Sequence, residues 1–426
     1  MSKRPYRYTP AEPPLRRTAL NDVHRRLGAK LAPFAGWEMP IQYPDGILAE
    51  HRAVRTAAGL FDVSHMRTLE IAGTGAETFL EVLLSNSVKG LRPGRAGYTV
   101  MFYPDGSLVD DLLVYRLERD RFMLVLNAAN AERVVDWIDA VNSREVIIDM
   151  DDPDREVDAT IDRPGSHRSA EDALVGLALQ GPAARRAAAA LADDHSDRAA
   201  LDALKRNRIV PMTLAGIDLL VAATGYTGEA NGIELFVASR HVVALWETLV
   251  ERGRPLGATC AGLGARDSTR IEAGLPLFGH DLAGALDITP VEAGYAFVCR
   301  FDKVFFIGRS AAARRAASPR RHIIRLAGRG RRTVRPGHAV LDERGRPVGE
   351  VTSFAYVHED LTFIVLACVS AEFSPEPGHA VTGVRVQRSA LDGAPPAASR
   401  VDLTAMSRFP DDAERAGWPT RYAPSG

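Results

Sequence analysis

Cysteine is scarce in this chain: there are three among 426 residues, and Cys260, Cys299 and Cys368 lie far apart with no CxxC pair. That spacing argues against a disulfide framework or a thiolate zinc site and fits a reducing cytoplasm. Lysine is nearly as rare, confined to Lys3, Lys30, Lys89, Lys205 and Lys303, so arginine carries most of the positive charge and a single arginine says little. A formal net charge of −1 leaves no global attraction to nucleic acid or to an anionic membrane. Long apolar runs are missing, and none reaches the length of a membrane span. Residues 1–17 are polar and proline-rich without an apolar centre, which argues against a signal peptide or an anchor there. No GxxxxGK[ST] phosphate loop occurs, and Gly73-Thr-Gly-Ala76 has Thr78 where a dinucleotide turn needs its third glycine, so it reads as a helix start.

What is present is the composition of a soluble globular enzyme, 46% hydrophobic and 25% charged, on a chain long enough for two or three domains. Within it, Ser107-Leu-Val-Asp110-Asp111-Leu-Leu-Val-Tyr115 reads as a strand apolar on both faces. Alternation puts Val109, Asp111 and Leu113 on one face and Leu108, Asp110, Leu112 and Val114 on the other, so at least one carboxylate meets the interior. An ionised carboxylate without partners is costly to bury and raises its pKa or recruits donors, which sets up a proton acceptor at neutral pH. The competing reading is an edge-strand pair held by arginines, and these residues alone leave the two open.

The stretch 67–72 reads as a strand, 77–85 as a helix, 98–103, 108–117 and 122–127 as an antiparallel meander, and 131–141 as a closing helix. Strand, helix, three strands, helix favours an α+β sandwich over a doubly wound sheet. Before it, 20–31 and 47–58 read as helices separated by an irregular segment around Phe34-Ala-Gly-Trp37. Residues 149–172 are acidic and turn-rich and read as an exposed insertion. A buried strand at 176–180, an alanine-rich helix from 183, a β-rich stretch 209–237 and a helix 240–252 make another α+β unit. Beyond Arg320, strands alternate with turn signals such as Arg335-Pro-Gly337, the pattern of an all-β domain. The arginine-dense run 309–335 lacks interleaved aromatics and reads as a solvated interdomain connection.

Three further clusters interrupt apolar periodicity with polar residues: Thr224-Gly-Tyr-Thr-Gly228 with Glu234, Ala265-Arg-Asp-Ser268 with Arg270 and Glu272, and Leu275-Pro-Leu-Phe-Gly279. Singly, Arg266 and Glu272 read as helix-surface ion pairs and Glu234 as a solvent-facing strand carboxylate. Together with Phe34-Ala-Gly-Trp37, Phe61-Asp-Val-Ser-His-Met66, Asp110-Asp-Leu112, Leu179-Gln-Gly-Pro182, Glu272-Ala-Gly274 and Thr289-Pro-Val-Glu-Ala-Gly294 they stand in a known order. Over nearly its whole length the chain resembles the aminomethyltransferase family, the T-protein of the glycine cleavage system, and its folate-dependent relatives.

The resemblance implies a three-domain ring around a central funnel for tetrahydrofolate. Two discontinuous α+β domains with antiparallel sheets would span 1–66 with 146–281 and 67–145 with 282–318, and a C-terminal β-barrel or jelly-roll domain would span 319–426. Asp111 falls on the family's catalytic carboxylate, with Tyr98 and Asn127 lining the folate site on neighbouring strands. Glu234 would accept the N–H donors of the pterin edge, Arg266 would be a cationic contact, Tyr226 would pack nearby, and Tyr422 would match a folate-contacting tyrosine. His65 and His280 read as structural or pocket-lining, and no metal is implied. The implied activity is aminomethyl transfer from the lipoyl arm of a carrier H-protein to tetrahydrofolate with release of ammonia, by a monomer or weak homo-oligomer. The alternatives are a folate-dependent demethylase or one-carbon transferase acting on a free small molecule, and a non-catalytic folate-binding protein. Departures from the family's pattern occur at Glu229-Ala-Asn-Gly-Ile-Glu234, in 351–360, at Phe297 and in the longer segment 149–172.

Overall fold

The chain opens on a small sheet whose turn is written in two residues. In the computed structural model, which describes residues 3–10, 14–162, 169–331, 334–373, 384–387 and 400–422, β1 (Arg16–Arg17) leads to α1 (Asn21–Arg26) and the hairpin β2 (Lys30–Phe34) and β3 (Trp37–Gln42). Ala35 and Gly36 both take positive φ, 50° and 78°, and Phe34 pairs with Trp37 across them. Two successive left-handed residues match the twist of a tight hairpin, so the segment expected to be irregular is a turn between strands. The helix expected to run to 58 stops as α2 (Ile47–Thr56), and the buried run after it is β4 (Ala58–Asp62).

From β5 (Arg67–Ala72) the chain forms α3 (Ala76–Leu83), β6 (Arg95–Phe102), β7 (Leu108–Glu118), β8 (Arg121–Leu126) and α4 (Ala131–Asn142). The four strands make one antiparallel sheet in the order β5, β8, β7, β6, so β7 is an interior strand, not an edge. Both helices are amphipathic and bury Phe79, Leu80, Val134, Trp137 and Ile138 against Leu112, Val114 and Leu124 of one sheet face. Residues 149–162 contain no helix or strand, yet Val157 and Ile161 are buried in this core, which corrects the expectation of an exposed insertion; residues 163–168 lie outside the described residues.

Next come β9 (Leu174–Gln180), α5 (Ala184–Ala189), α6 (His195–Ala203), β10 (Ile209–Leu214), β11 (Ile217–Ala222), β12 (Ile233–Ala238), α7 (Val242–Gly253), β13 (Ala258–Cys260) and α8 (Leu263–Glu272). Their strands form a six-stranded sheet ordered β10, β11, β12, β9, β4, β13, which recruits β4 from far upstream and pairs β13 parallel to it. This sheet packs on the four-stranded one through Tyr115, Met123, Val125, Ile209, Ala222 and Phe236.

Finally, α9 (Arg309–Ala316) and β14 (Arg321–Arg329) occupy most of the arginine-dense run, which is therefore structured and not a loose connection. With β15 (Ala339–Leu341), β16 (Pro347–Tyr356), β17 (Thr362–Ser370), β18 (Val384–Gln387) and β19 (Arg400–Met406), β14 closes a barrel, and α10 (Asp412–Arg421) follows it. The fold is mixed α+β. Among the described residues no helix is long and apolar enough to cross a membrane.

Candidate active site

The alternation along β7 separates its two aspartates. Asp110 points to the helix-covered face and is fully buried, whereas Asp111 is half-buried on the face turned towards the six-stranded sheet. Tyr98, opposite Leu113 on β6, donates its hydroxyl to Asp111 Oδ2 at 2.8 Å. Asn127, just past β8, donates its amide to the Asp111 carbonyl at 2.8 Å and to Asp111 Oδ1 at 3.3 Å. Three successive strands thus converge on one carboxylate, and every side-chain donor is neutral. Among the described residues no ion pair reaches Asp111, so the arginine-held reading of the pair gives way. Burial pushes its carboxyl up to about 6, and the hydrogen bonds from Tyr98 and Asn127 only partly oppose that rise.

Four residues further along the same face, Tyr115 reaches the second sheet. Its hydroxyl lies 2.9 Å from Thr224 Oγ1 and donates to Glu234 Oε2 at 3.3 Å, while Thr224 donates to the same oxygen at 2.6 Å. Glu234 sits on β12 and is buried, which corrects the solvent-facing reading. Both hydrogen bonds fall on Oε2, and no donor among the described residues reaches Oε1. The loop before β12 is fixed by Gln180, whose amide donates to the carbonyls of Ile233 at 3.0 Å and Thr224 at 3.3 Å and accepts from Thr227 at 2.8 Å. A Cβ on Gly225 or Gly232 would collide with that amide, so the close approach requires glycine at both positions.

Tyr226 is carried on this loop, half-buried, with its hydroxyl donating to the Pro276 carbonyl at 2.5 Å. It stands between the two ends of the site: the Asp111 charge bears on its hydroxyl, and the Arg266 guanidinium lies 5.2 Å from its ring centroid. Arg266, on α8, has no carboxylate partner among the described residues; its Nη1 is buried without an acceptor, and Nη2 meets only Met66 Sδ at 3.9 Å. Burial pushes this guanidinium down, while Glu234 and Tyr226 pull it back. A guanidinium with a buried nitrogen lacking an acceptor, beside a half-engaged carboxylate, is costly in a resting protein.

The structure therefore brings Asp111, Tyr98, Asn127, Tyr226, Glu234 and Arg266 around one region between the two sheets and α8. It does not bring Tyr422 there. That hydroxyl donates to Glu272 Oε1, and the side chain is buried against Trp418 and Ala273 at the other end of α8. Glu272, which by itself reads as half of a surface ion pair, is buried there with Arg55 and His51. His65 is buried with its ring against Phe34, and burial pushes it down to about 4, so it is neutral near pH 7. Four contributors were given no role in the site by sequence reasoning. Tyr115 shares a face with Asp111 by strand alternation; Thr224 heads the glycine cluster; Asn130 follows Asn127 at a helix start; and Tyr295, 5.6 Å from the Tyr98 ring, directly follows Gly294. No group of three His, Cys, Asp or Glu side chains among the described residues is placed to hold a metal ion.

Residues 20–303 match the GCVT N-terminal domain family. The aminomethyltransferase of Streptomyces coelicolor is 44% identical over 346 residues, covering 80% of this chain and 86% of that protein. The chain belongs to the aminomethyltransferase family. The family's member from Chloroherpeton thalassium is 39% identical over 336 residues, covering 79% of this chain and 85% of that one. In three dimensions the chain is similar to the crystal structure of glycine cleavage system aminomethyltransferase T from Bartonella henselae, with TM-score 0.72 and 28% identity over 92% of this chain and 97% of that one.

Proposed function

We propose that this chain is a tetrahydrofolate-dependent aminomethyltransferase, taking the one-carbon unit from the aminomethylated lipoyl arm of a carrier H-protein and releasing ammonia. The observation that carries the reading is Asp111: a carboxylate between two sheets, oriented only by neutral donors and titrating near about 6. The remaining donor set fits a reduced pterin. Glu234 Oε1 has no donor among the described residues and would accept from the ring's N–H groups, and Arg266 Nη1 lacks an acceptor that a ligand oxygen would supply. When bound, tetrahydrofolate supplies the nucleophilic nitrogen that receives the carbon.

The protein's own part is orientation and proton handling. Asp111 Oδ accepts the proton displaced at that nitrogen, Tyr98 and Asn127 hold the carboxylate in place, and Tyr226 walls the site beside Arg266. The three-domain division at 1–66 with 146–281, 67–145 with 282–318, and 319–426 is part of this proposal. It is supported by the six-stranded sheet, which joins β4 to β9 and β13, and by the barrel formed by β14 to β19. The test is to incubate the purified chain with tetrahydrofolate and aminomethylated H-protein and to follow ammonia and methylenetetrahydrofolate. Stoichiometric formation of both supports the reading; turnover only of a free methylated compound, without carrier, overturns it.

A further inference from the structure

Asp110 is the neighbour of Asp111 on β7 and points away from the site. It has no exposed surface, and it lies on the face of β7 that packs on α3 and α4. Its Oδ1 accepts from Asn130 Nδ2 at 2.6 Å and from Asn127 Nδ2 at 3.1 Å. Its Oδ2 is buried with no hydrogen-bond partner among the described residues. Asn130 occupies the residue before α4, where an amide side chain ordinarily caps the helix, yet it makes no capping bond and donates to Asp110 instead. Asn127 is shared: the same amide nitrogen serves Asp110 Oδ1 on one side of the strand and the carbonyl and Oδ1 of Asp111 on the other.

An ionised Asp110 would leave half its charge on an oxygen with no donor, in an apolar core, beside a second carboxylate. The charged groups around it offer no relief. Arg133 on α4 directs Nη2 to the Val109 carbonyl and to Asn130 Oδ1, Asp111 on its own strand is acidic, β6 presents Met101 opposite, and β8 contributes Asn127 at its end. The protonated form removes the charge and leaves only a neutral hydroxyl without an acceptor, which is the smaller loss.

We infer that Asp110 is a positioning residue, held as a neutral carboxylic acid behind β7 and fixing Asn127 so that its amide stays on Asp111. The acid's carbonyl oxygen is the anchor, and the backbone of β7 keeps anchor and base one residue apart. This deepens the aminomethyltransferase reading, but it is tested without substrate.

The experiment is a carbon-13 NMR titration of the full-length protein labelled at aspartate carboxyls, with Asp110 and Asp111 assigned through Asp110→Asn and Asp111→Asn. The Asp110 signal is expected at the protonated position throughout the folded range, while Asp111 titrates near about 6. Asp110→Asn retains a carbonyl oxygen at the anchor and should leave the Asp111 midpoint within about 0.3 unit, a shift too small to signal a lost neighbouring charge. Asp110→Ala frees Asn127, removes a donor from the Asp111 anion and should raise that midpoint by about half a unit or more. An Asp110 signal in the ionised position overturns the inference, as does a midpoint that falls by about one unit in Asp110→Asn. If Asp110→Ala does not fold, the wild-type signal and the Asn variant still decide. Failure of ammonia release with carrier and folate would remove the proposed function and leave the NMR result standing.

Discussion

Two carboxylates in this protein, Glu272 and the half-buried Asp111, have opposite fates. Glu272, at the end of α8, receives Arg55 Nε at 2.8 Å and His51 Nε2 at 3.1 Å on one oxygen and the Tyr422 hydroxyl on the other, with Arg421 at 3.6 Å. Burial alone would raise its pKa; Arg55, His51 and Tyr422 more than reverse that and hold it well below the ordinary carboxylate range. Asp111 is oriented just as closely, but by a phenol and an amide, and burial wins. Cations turn a buried acid into a structural tie, whereas neutral donors hold it still and leave its proton affinity near neutrality.

The sharpest way to break the contrast is to remove each acid. Asp111→Asn should lower kcat by about a hundredfold or more while folate binding persists, because proton acceptance is lost and shape is kept; ammonia release and calorimetric titration with tetrahydrofolate measure the two separately. Glu272→Ala strips buried Arg55 of one of its two carboxylates, leaving only Glu229, takes the shared partner from His51 and Tyr422, and should cost about 3 kcal/mol in denaturant unfolding.

Acidity separates the same pair within one protein. As pH falls through about 6, Asp111 takes up its proton and kcat/KM should fall tenfold per unit. Its raised pKa means that protonation relieves a buried charge, so this group adds stability over that step. The depressed Glu272 carboxyl contributes stability that is fully present above its unfolded value of 4.5 and is lost only as pH falls through its lower folded value. Activity should therefore disappear before the fold does, which rate and Tm profiles taken together will show.

A single oxygen makes a finer comparison. Tyr422→Phe should destabilise by about 1–2 kcal/mol through the lost donor to Glu272 and leave the acidic limb of the rate in place. Tyr98→Phe should leave Tm nearly unchanged and move that limb upward, since Asp111 loses a donor to its anion. The smallest effect belongs to Arg52→Ala, which removes an exposed ion pair with Glu359 and should change stability by about 0–1 kcal/mol.

The contrast was only half legible in the sequence. Two aspartates in an apolar strand guarantee that one is buried, and alternation assigns them to opposite faces, but nothing local says which face meets a ligand. The family resemblance supplied Tyr98, Asn127, Glu234 and Arg266, because strands distant in the chain converge through pairing registers that composition does not encode. It also suggested Tyr422 for the folate, whereas a partner 150 residues away, Glu272, takes its hydroxyl. Local signals misled where tertiary contacts decide. The acidic segment 149–162 lies against the core because Val157 and Ile161 anchor it, and β4 was hidden because five buried residues directly after a helix lack any period of their own.

The pairing of β13 with β4 has a consequence for synthesis. The unit from β5 to α4 is contiguous, residues 67–142, and its sheet can close while the ribosome is still extending the chain. The six-stranded sheet must wait: β4 stays an open edge until Leu174–Gln180 arrives, and its far side is covered only when Ala258–Cys260 emerges. A nascent chain paused before that point has all four strands of the sheet that carries Asp111 but still lacks Ile307 of its core, and it exposes an unpaired strand to its neighbours.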